Sequence, residues 1–135
     1  MRKILSVDDE PAVLRCFERA LRTKGYAVFV TSDPTTVPQL LKDNEFDLIM
    51  LDIMMPGKSG LDIFKELKGK YDHLPVLFVT AHAQTFSMES QEMMKLWEEQ
   101  FADGNTDILY KPIQLEMLYE KVEGLIGPAA TRGTG

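Results

Sequence analysis

The stretch Asp47-Leu48-Ile49-Met50-Leu51-Asp52-Ile53-Met54-Met55-Pro56-Gly57-Lys58-Ser59-Gly60 decides how the rest of this chain is read. Leu48 to Leu51 are consecutive apolar residues, the pattern of a strand buried on both faces of a parallel sheet. The run stops at a carboxylate, Asp52, and the Pro56-Gly57 pair then turns the chain. An acid at the C-terminal end of a buried parallel strand falls where open α/β sheets place their ligands. Taken alone, Asp52 reads first as a strand-ending acid that merely caps a turn. Its company decides between the two.

Working outward, residues 3–7 (Lys-Ile-Leu-Ser-Val) predict a short first strand that runs into Asp8-Asp9-Glu10-Pro11, with Pro11 suited to the first turn of a helix. Val13, Leu14, Phe17, Ala20, Leu21 and Lys24 mark that helix, and Gly25 closes it. Arg15, Arg19 and Arg22 on its other side read as a solvated face. Tyr26 to Val30 predicts a second strand, and Pro34 to about Lys42 a short second helix. After the Asp52 strand, Gly60 precedes a third helix with Leu61, Phe64 and Leu67 inward, ending near Gly69. Pro75 to Val79 predicts a fourth buried strand that stops at Thr80-Ala81-His82. A helix is expected over about 86–101, where Phe86, Met93, Trp97 and Phe101 form a core stripe. Asp107 to Tyr110 predicts a fifth strand, ended by Lys111-Pro112, and Leu115, Leu118, Val122 and Leu125 a last helix. Residues 127–135 read as a tail or the start of a linker, which leaves 1–126 as one domain.

Five strands alternating with five helices predict a doubly wound α/β fold, a parallel sheet with helices on both faces. Right-handed crossovers then bring every strand's C-terminal end to one edge. Along that edge fall Asp8 and Asp9 after the first strand, Asp52 after the third, Thr80 after the fourth and Lys111 after the fifth.

Composition narrows the function. A chain of 135 residues, 44% hydrophobic and 27% charged, suffices for one globular core. The net charge of −6 argues against direct nucleic-acid contact, which draws on Lys and Arg. No apolar run approaches the roughly 20 residues that span a bilayer, so no membrane insertion is expected. The start, Met1-Arg2-Lys3 followed by a short strand, has no signal-peptide pattern, and a single cysteine fits a reducing, cytoplasmic setting. That residue, Cys16, is expected to serve packing rather than reactivity.

The edge residues have a chemistry of their own. Three carboxylates brought together repel one another unless a cation sits among them. Mg²⁺ suits such a set, since it takes oxygen ligands and pairs carboxylates with phosphate. A lysine and a threonine at the same edge supply a positive charge and a hydroxyl donor for phosphoryl oxygens. An aspartate so held is able to act as a nucleophile and form an aspartyl phosphate.

With those residues in hand, the sequence resembles the receiver domain of two-component response regulators over about residues 3–126. The motifs that carry the likeness are Val7-Asp8-Asp9-Glu10-Pro11, Leu51-Asp52-Ile53-Met54-Met55-Pro56-Gly57 through Gly60, Val79-Thr80-Ala81 and Lys111-Pro112. The resemblance implies a flavodoxin-like (βα)5 sandwich with sheet order 2-1-3-4-5. It implies that Asp52 is the phosphoacceptor, that Asp9, Asp52 and the Met54 carbonyl hold Mg²⁺ with Asp8 helping through water, and that Thr80 and Lys111 bind phosphoryl oxygens. It also implies a cis peptide at Lys111-Pro112. The partner would be a histidine kinase or histidine phosphotransfer protein. The output would be a change on the face made by the helix over 86–101, the fifth strand and the last helix, which would contact a downstream effector or a second copy. Such a domain promotes its own phosphorylation and dephosphorylation and is not a metabolic enzyme.

Departures from the family pattern fall at switch positions. Ile108 stands three residues before Lys111, where relatives carry an aromatic residue, and Tyr110 is adjacent to Lys111 instead. Thr80 and Lys111 are 31 positions apart, a long interval whose extra length falls around the helix over 86–101. Met54 and His82, each two residues after a site residue, are the candidates to tune the chemistry: Met54 is apolar and orients no water, and His82, with Ala81 between it and Thr80, reads equally as a neighbour of the phosphoryl group or as a solvent-facing loop histidine. Other classes fit less well. A haloacid-dehalogenase-type phosphatase needs a second Asp where Met54 stands, and a nucleotide-binding module needs phosphate donors where Asp8-Asp9-Glu10 would repel. A receiver-like interaction domain that works without phosphate is the alternative reading.

Overall fold

Five parallel strands form one sheet in the order β2-β1-β3-β4-β5. They are β1 (Lys3–Val7), β2 (Ala27–Thr31), β3 (Leu48–Asp52), β4 (Val76–Thr80) and β5 (Thr106–Tyr110), accompanied by α1 (Pro11–Thr23), a 3₁₀ turn (Pro34–Thr36), α2 (Val37–Asp43), α3 (Gly60–Leu67) and a C-terminal helix (Leu115–Ile126). This computed structural model describes residues 2–53, 55, 60–67, 69–80 and 105–128. The helix expected over 86–101 and the positions Met54, Ala81 and His82 lie outside them.

The two-sided burial read from Leu48 to Leu51 divides strictly by strand alternation. Ile4, Leu48, Met50, Leu77, Val79 and Leu109 join a core with Phe17 and Leu21 of α1 and with Leu118 and Val122 of the C-terminal helix. Leu5, Val7, Ile49, Leu51, Val76 and Phe78 face the opposite core, with Val37 and Leu41 of α2 and Ile63 and Leu67 of α3. Central β3 and β4 are buried at every position, whereas edge strand β2 leaves Phe29 and Val30 exposed. Phe29 is covered in part by the edge of the Phe46 ring, with centroids 5.4 Å apart.

Local chemistry sets the element ends. Pro11 opens α1, and Gly25, at a φ of 95°, turns the chain into β2. The Asp33 carboxylate accepts bonds from the Thr35 hydroxyl (2.7 Å) and the Thr35 N–H (3.0 Å), and these hold its pKa below the usual carboxylate range. Beyond the last helix, Gly127 takes a φ of 79° and its carbonyl accepts the Tyr26 hydroxyl at 2.9 Å, while Arg2 Nε donates to the Pro128 carbonyl at 3.3 Å.

Two sequence expectations are corrected, at Leu115 and Cys16, while those for α3 and for the arginine face of α1 hold among the described residues. In α3, Leu67 is buried and Phe64 is half-buried with its edge on Phe78, both inward as expected, and Ile63 joins them in the core. Leu115 is 53% exposed and the helix instead buries Ile126, because the inward stripe of Leu118 and Val122 continues one turn further on. Arg15, Arg19 and Arg22 are exposed as expected, and Arg22 also donates to the Val28 carbonyl at 3.3 Å and pairs with Glu18 at 3.4 Å. Cys16 is exposed rather than packed, lying outside the stripe of Leu14, Phe17 and Leu21.

Candidate functional site

Strand alternation explains why three of the edge residues meet. Asp8 follows Ile4 by four positions, Asp52 follows Met50 by two and Lys111 follows Leu109 by two, so all three continue the α1 face of the sheet. At the edge the Lys111 Nζ lies 3.4 Å from Asp8 Oδ2 and 3.8 Å from Asp52 Oδ2. Both carboxylates are almost wholly buried, Asp8 at 1% and Asp52 at 2% exposure. A charge removed from water to that extent requires a partner, and the one ammonium serves both.

The two oxygens of Asp8 are separately assigned. Oδ1 accepts the Glu10 N–H at 2.9 Å, in the turn that leads from β1 into α1. That bond fixes the carboxylate plane. Oδ2 is buried with no hydrogen bond among the described residues, and has only the charge contact with Lys111. Asp9, half-buried, and Glu10, exposed, complete a set with Asp8 whose carboxylate oxygens lie within 4.8 Å of one another. Glu10 was not singled out by the sequence reading. Its place in the Asp8-Asp9-Glu10 run was the available signal.

Thr80 reaches the site by another route. Alternation places it with Val76 and Phe78 rather than with Lys111, yet its carbonyl accepts the Lys111 N–H at 2.7 Å. Its hydroxyl is fully buried and has no hydrogen-bond partner among the described residues. The Lys111-Pro112 peptide is cis. Ile108, three residues back, is half-buried against the α3 core, and Tyr110 is 41% exposed. Beside Lys111 an apolar groove opens, lined by Ala12, Val13, Cys16, Phe17, Pro112 and Ile113.

The donor set fits a hard divalent cation. Asp8, Asp9, Glu10 and Asp52 present only carboxylate oxygens, and their charge exceeds that of Lys111 by three. Asp8 Oδ2, which has the Lys111 charge at 3.4 Å and no hydrogen bond among the described residues, is an acceptor already desolvated. An anionic guest alone would be repelled, whereas a cation brought with a phosphoryl group would relieve both imbalances.

Comparison with known proteins agrees with this geometry. The family model described as "Response regulator receiver domain" matches residues 4–123. The response regulator MprA of Mycobacterium sp. (strain KMS) is 33% identical over 124 residues, which cover 92% of this chain and 50% of the relative. The chain thus spans about half the length of the curated relatives it matches. Among solved structures, the chemotaxis protein CheY4 of Vibrio cholerae aligns with a TM-score of 0.75 at 27% identity, covering 93% of this chain and 98% of that one. The response regulator TrrA of Thermotoga maritima, solved in complex with Mg²⁺-BeF, aligns with a TM-score of 0.75 at 26% identity, covering 93% and 99%. Acids at the ends of β1 and β3, a lysine after β5 and a sheet of order β2-β1-β3-β4-β5 occur here within a match that covers nearly the whole chain, and the chain belongs to the response regulator receiver domain family.

Proposed function

We propose that this receiver domain, over residues 1–126, is a phosphorylation-dependent switch in which Asp52 accepts a phosphoryl group from a phosphohistidine on a kinase or phosphotransfer protein. The observation that carries the reading is the single Lys111 ammonium held within 4 Å of two buried carboxylates, Asp8 and Asp52. In the transfer, a bond forms between an Asp52 carboxylate oxygen and phosphorus as the donor's P–N bond breaks, and the imidazole leaves with the electron pair. Lys111 follows the negative charge onto the phosphoryl oxygens, and the unpartnered Thr80 hydroxyl donates to one of them. Asp9, Asp52 and the Met54 carbonyl are the proposed Mg²⁺ ligands, with Asp8 acting through water. Bound there, Mg²⁺ neutralises charge on both the acids and the phosphoryl group. The Mg²⁺-BeF complex of the Thermotoga maritima regulator supports the pairing.

The finer assignments belong to the same reading. The apolar groove beside Lys111 offers the donor protein a seat next to the reacting carboxylate. Movement of Lys111 on phosphorylation is passed to β5 and the C-terminal helix, toward an effector or a second copy. Ile108 in place of an aromatic residue leaves the relay to packing rather than ring rotation, while Met54, Ala81, His82 and Pro112 set its rates. Residues 127–135 form a tail or linker, and the setting is the cytoplasm.

The test is incubation with acetyl phosphate and Mg²⁺, read by intact mass. One added phosphoryl group, about 80 Da, is expected in the wild type only with Mg²⁺ and not in Asp52→Asn. No adduct on a protein that binds Mg²⁺ would favour a phosphate-independent interaction domain.

A further inference from the structure

The end of β3 carries Asp52, and the first residue of α3 is pressed directly against it. A Cβ built on Gly60 would lie 2.5 Å from the Asp52 carbonyl oxygen, 3.0 Å from its carbonyl carbon and 3.2 Å from the Leu51 Cβ. Real carbon–oxygen contacts stop several tenths of an ångström short of the first distance, so any side chain at Gly60 must displace one of the two partners. Neither yields easily. On one side, β3 lies between β1 and β4, Asp52 is in register with Val79, and the Ile53 N–H donates to the Val79 carbonyl at 2.9 Å. On the other, α3 is anchored through Ile63, 1% exposed, and Leu67, 7% exposed. Gly60 also has no positive φ that would by itself demand glycine. The requirement is for space at one atom, the carbonyl of the acceptor residue.

We infer that Gly60 is a positioning residue for the acceptor: its bare Cα lets the amino end of α3 close on the Asp52 peptide and so fixes where the Asp52 carboxylate stands relative to Lys111 and Asp8. The inference rests on the proposal that Asp52 is phosphorylated. A methyl group at this point rotates the Asp52 peptide or drives the helix away, and the carboxylate moves with its backbone. Misplacement of a reacting group by about 1 Å costs up to about 100-fold in rate.

The experiment compares Gly60→Ala with Gly124→Ala, a helical glycine whose added Cβ meets nothing within 4 Å. At saturating acetyl phosphate and Mg²⁺, well below both melting temperatures, Gly60→Ala is expected to lower the maximal phosphorylation rate by about 10- to 100-fold. Its Mg²⁺ affinity, titrated calorimetrically without donor, is expected to weaken as well, while Gly124→Ala keeps both at the wild-type value. A folded Gly60→Ala protein with the wild-type maximal rate overturns the inference, whatever its melting temperature. A wild type that takes no phosphoryl group overturns instead the reading of Asp52. If Gly60→Ala fails to fold even in the Gly124→Ala background, the wild type is followed by NMR on addition of Mg²⁺ with beryllofluoride. The Gly60 resonances must then move together with the Asp52 carbonyl, and an unmoved Gly60 beside a shifted Asp52 overturns the inference.

Discussion

At the residue scale, the Lys111 ammonium lies within 4 Å of two buried carboxylates, those of Asp8 and Asp52. Removing its charge in Lys111→Met leaves Asp8 and Asp52 buried and repelling, with about 1–3 kcal/mol of stability lost. Urea unfolding without divalent ions should show that loss, and Mg²⁺ should restore part of it through binding to the folded state alone. Tyr26 provides a pH signature. Burial first, and then the Glu123 carboxylate, raise its phenol pKa, against a smaller opposing effect of Arg2. The folded state therefore holds this proton more tightly than the unfolded one. Its contribution is complete below the ordinary tyrosine pKa and is lost as pH rises through the raised folded value. An absorbance titration of tyrosinate should lose its most alkaline component in Tyr26→Phe; an unchanged curve would contradict the assignment. At this scale the sequence was informative where chemistry was concentrated. Asp8, Asp52, Thr80 and Lys111 were all legible from their places at strand ends. The Gly60 contact was not, because it is a tertiary approach between backbones that composition does not record.

The elements show where periodicity suffices and where packing overrides it. Strands β1 and β3 followed directly from their apolar runs, β4 with its ends one residue further on, at Val76 and Thr80, and α1 from the spacing of Leu14, Phe17 and Leu21. The edge strand β2 was shifted by one residue because Tyr26, read as its start, is instead drawn toward the C-terminal helix by its bond to Gly127. In that helix, Leu115 fitted the apolar spacing but precedes the first turn that faces the sheet, and the Tyr119 hydroxyl, bonded to the Ala20 carbonyl at 3.0 Å, helps set the rotation. The same helix carries Gly124 in open space. Replacing it by alanine should stabilise the protein by about 0.5–1 kcal/mol, the usual cost of a mid-helix glycine, and thermal unfolding would record the gain.

For the whole molecule, stability depends on one sheet whose central strands, β3 and β4, are buried on both faces. Phe78 is fully buried in β4 with the edge of Phe64 against it, centroids 5.3 Å apart, so Phe78→Ala should cost about 3–5 kcal/mol in denaturant unfolding. That the fold was α/β could be read from alternating strand and helix patterns alone, since a run such as Leu48 to Leu51 is compatible with few other surroundings. The order of the strands was supplied by resemblance, because no local pattern encodes which parallel neighbour a buried strand chooses. One further consequence lies at the opposite edge from Asp52. There Arg2, ahead of β1, binds Pro128, and Tyr26, ahead of β2, binds Gly127, so the two extremes of the described chain are fastened side by side. The molecule therefore has poles: the acids and Lys111 crowd one, and both covalent leads are pinned at the other. Arg2 and Pro128 thus lie at the other end of the sheet from Asp52. A neighbour fused at either of these two residues would join the domain at the pole away from the acids and Lys111.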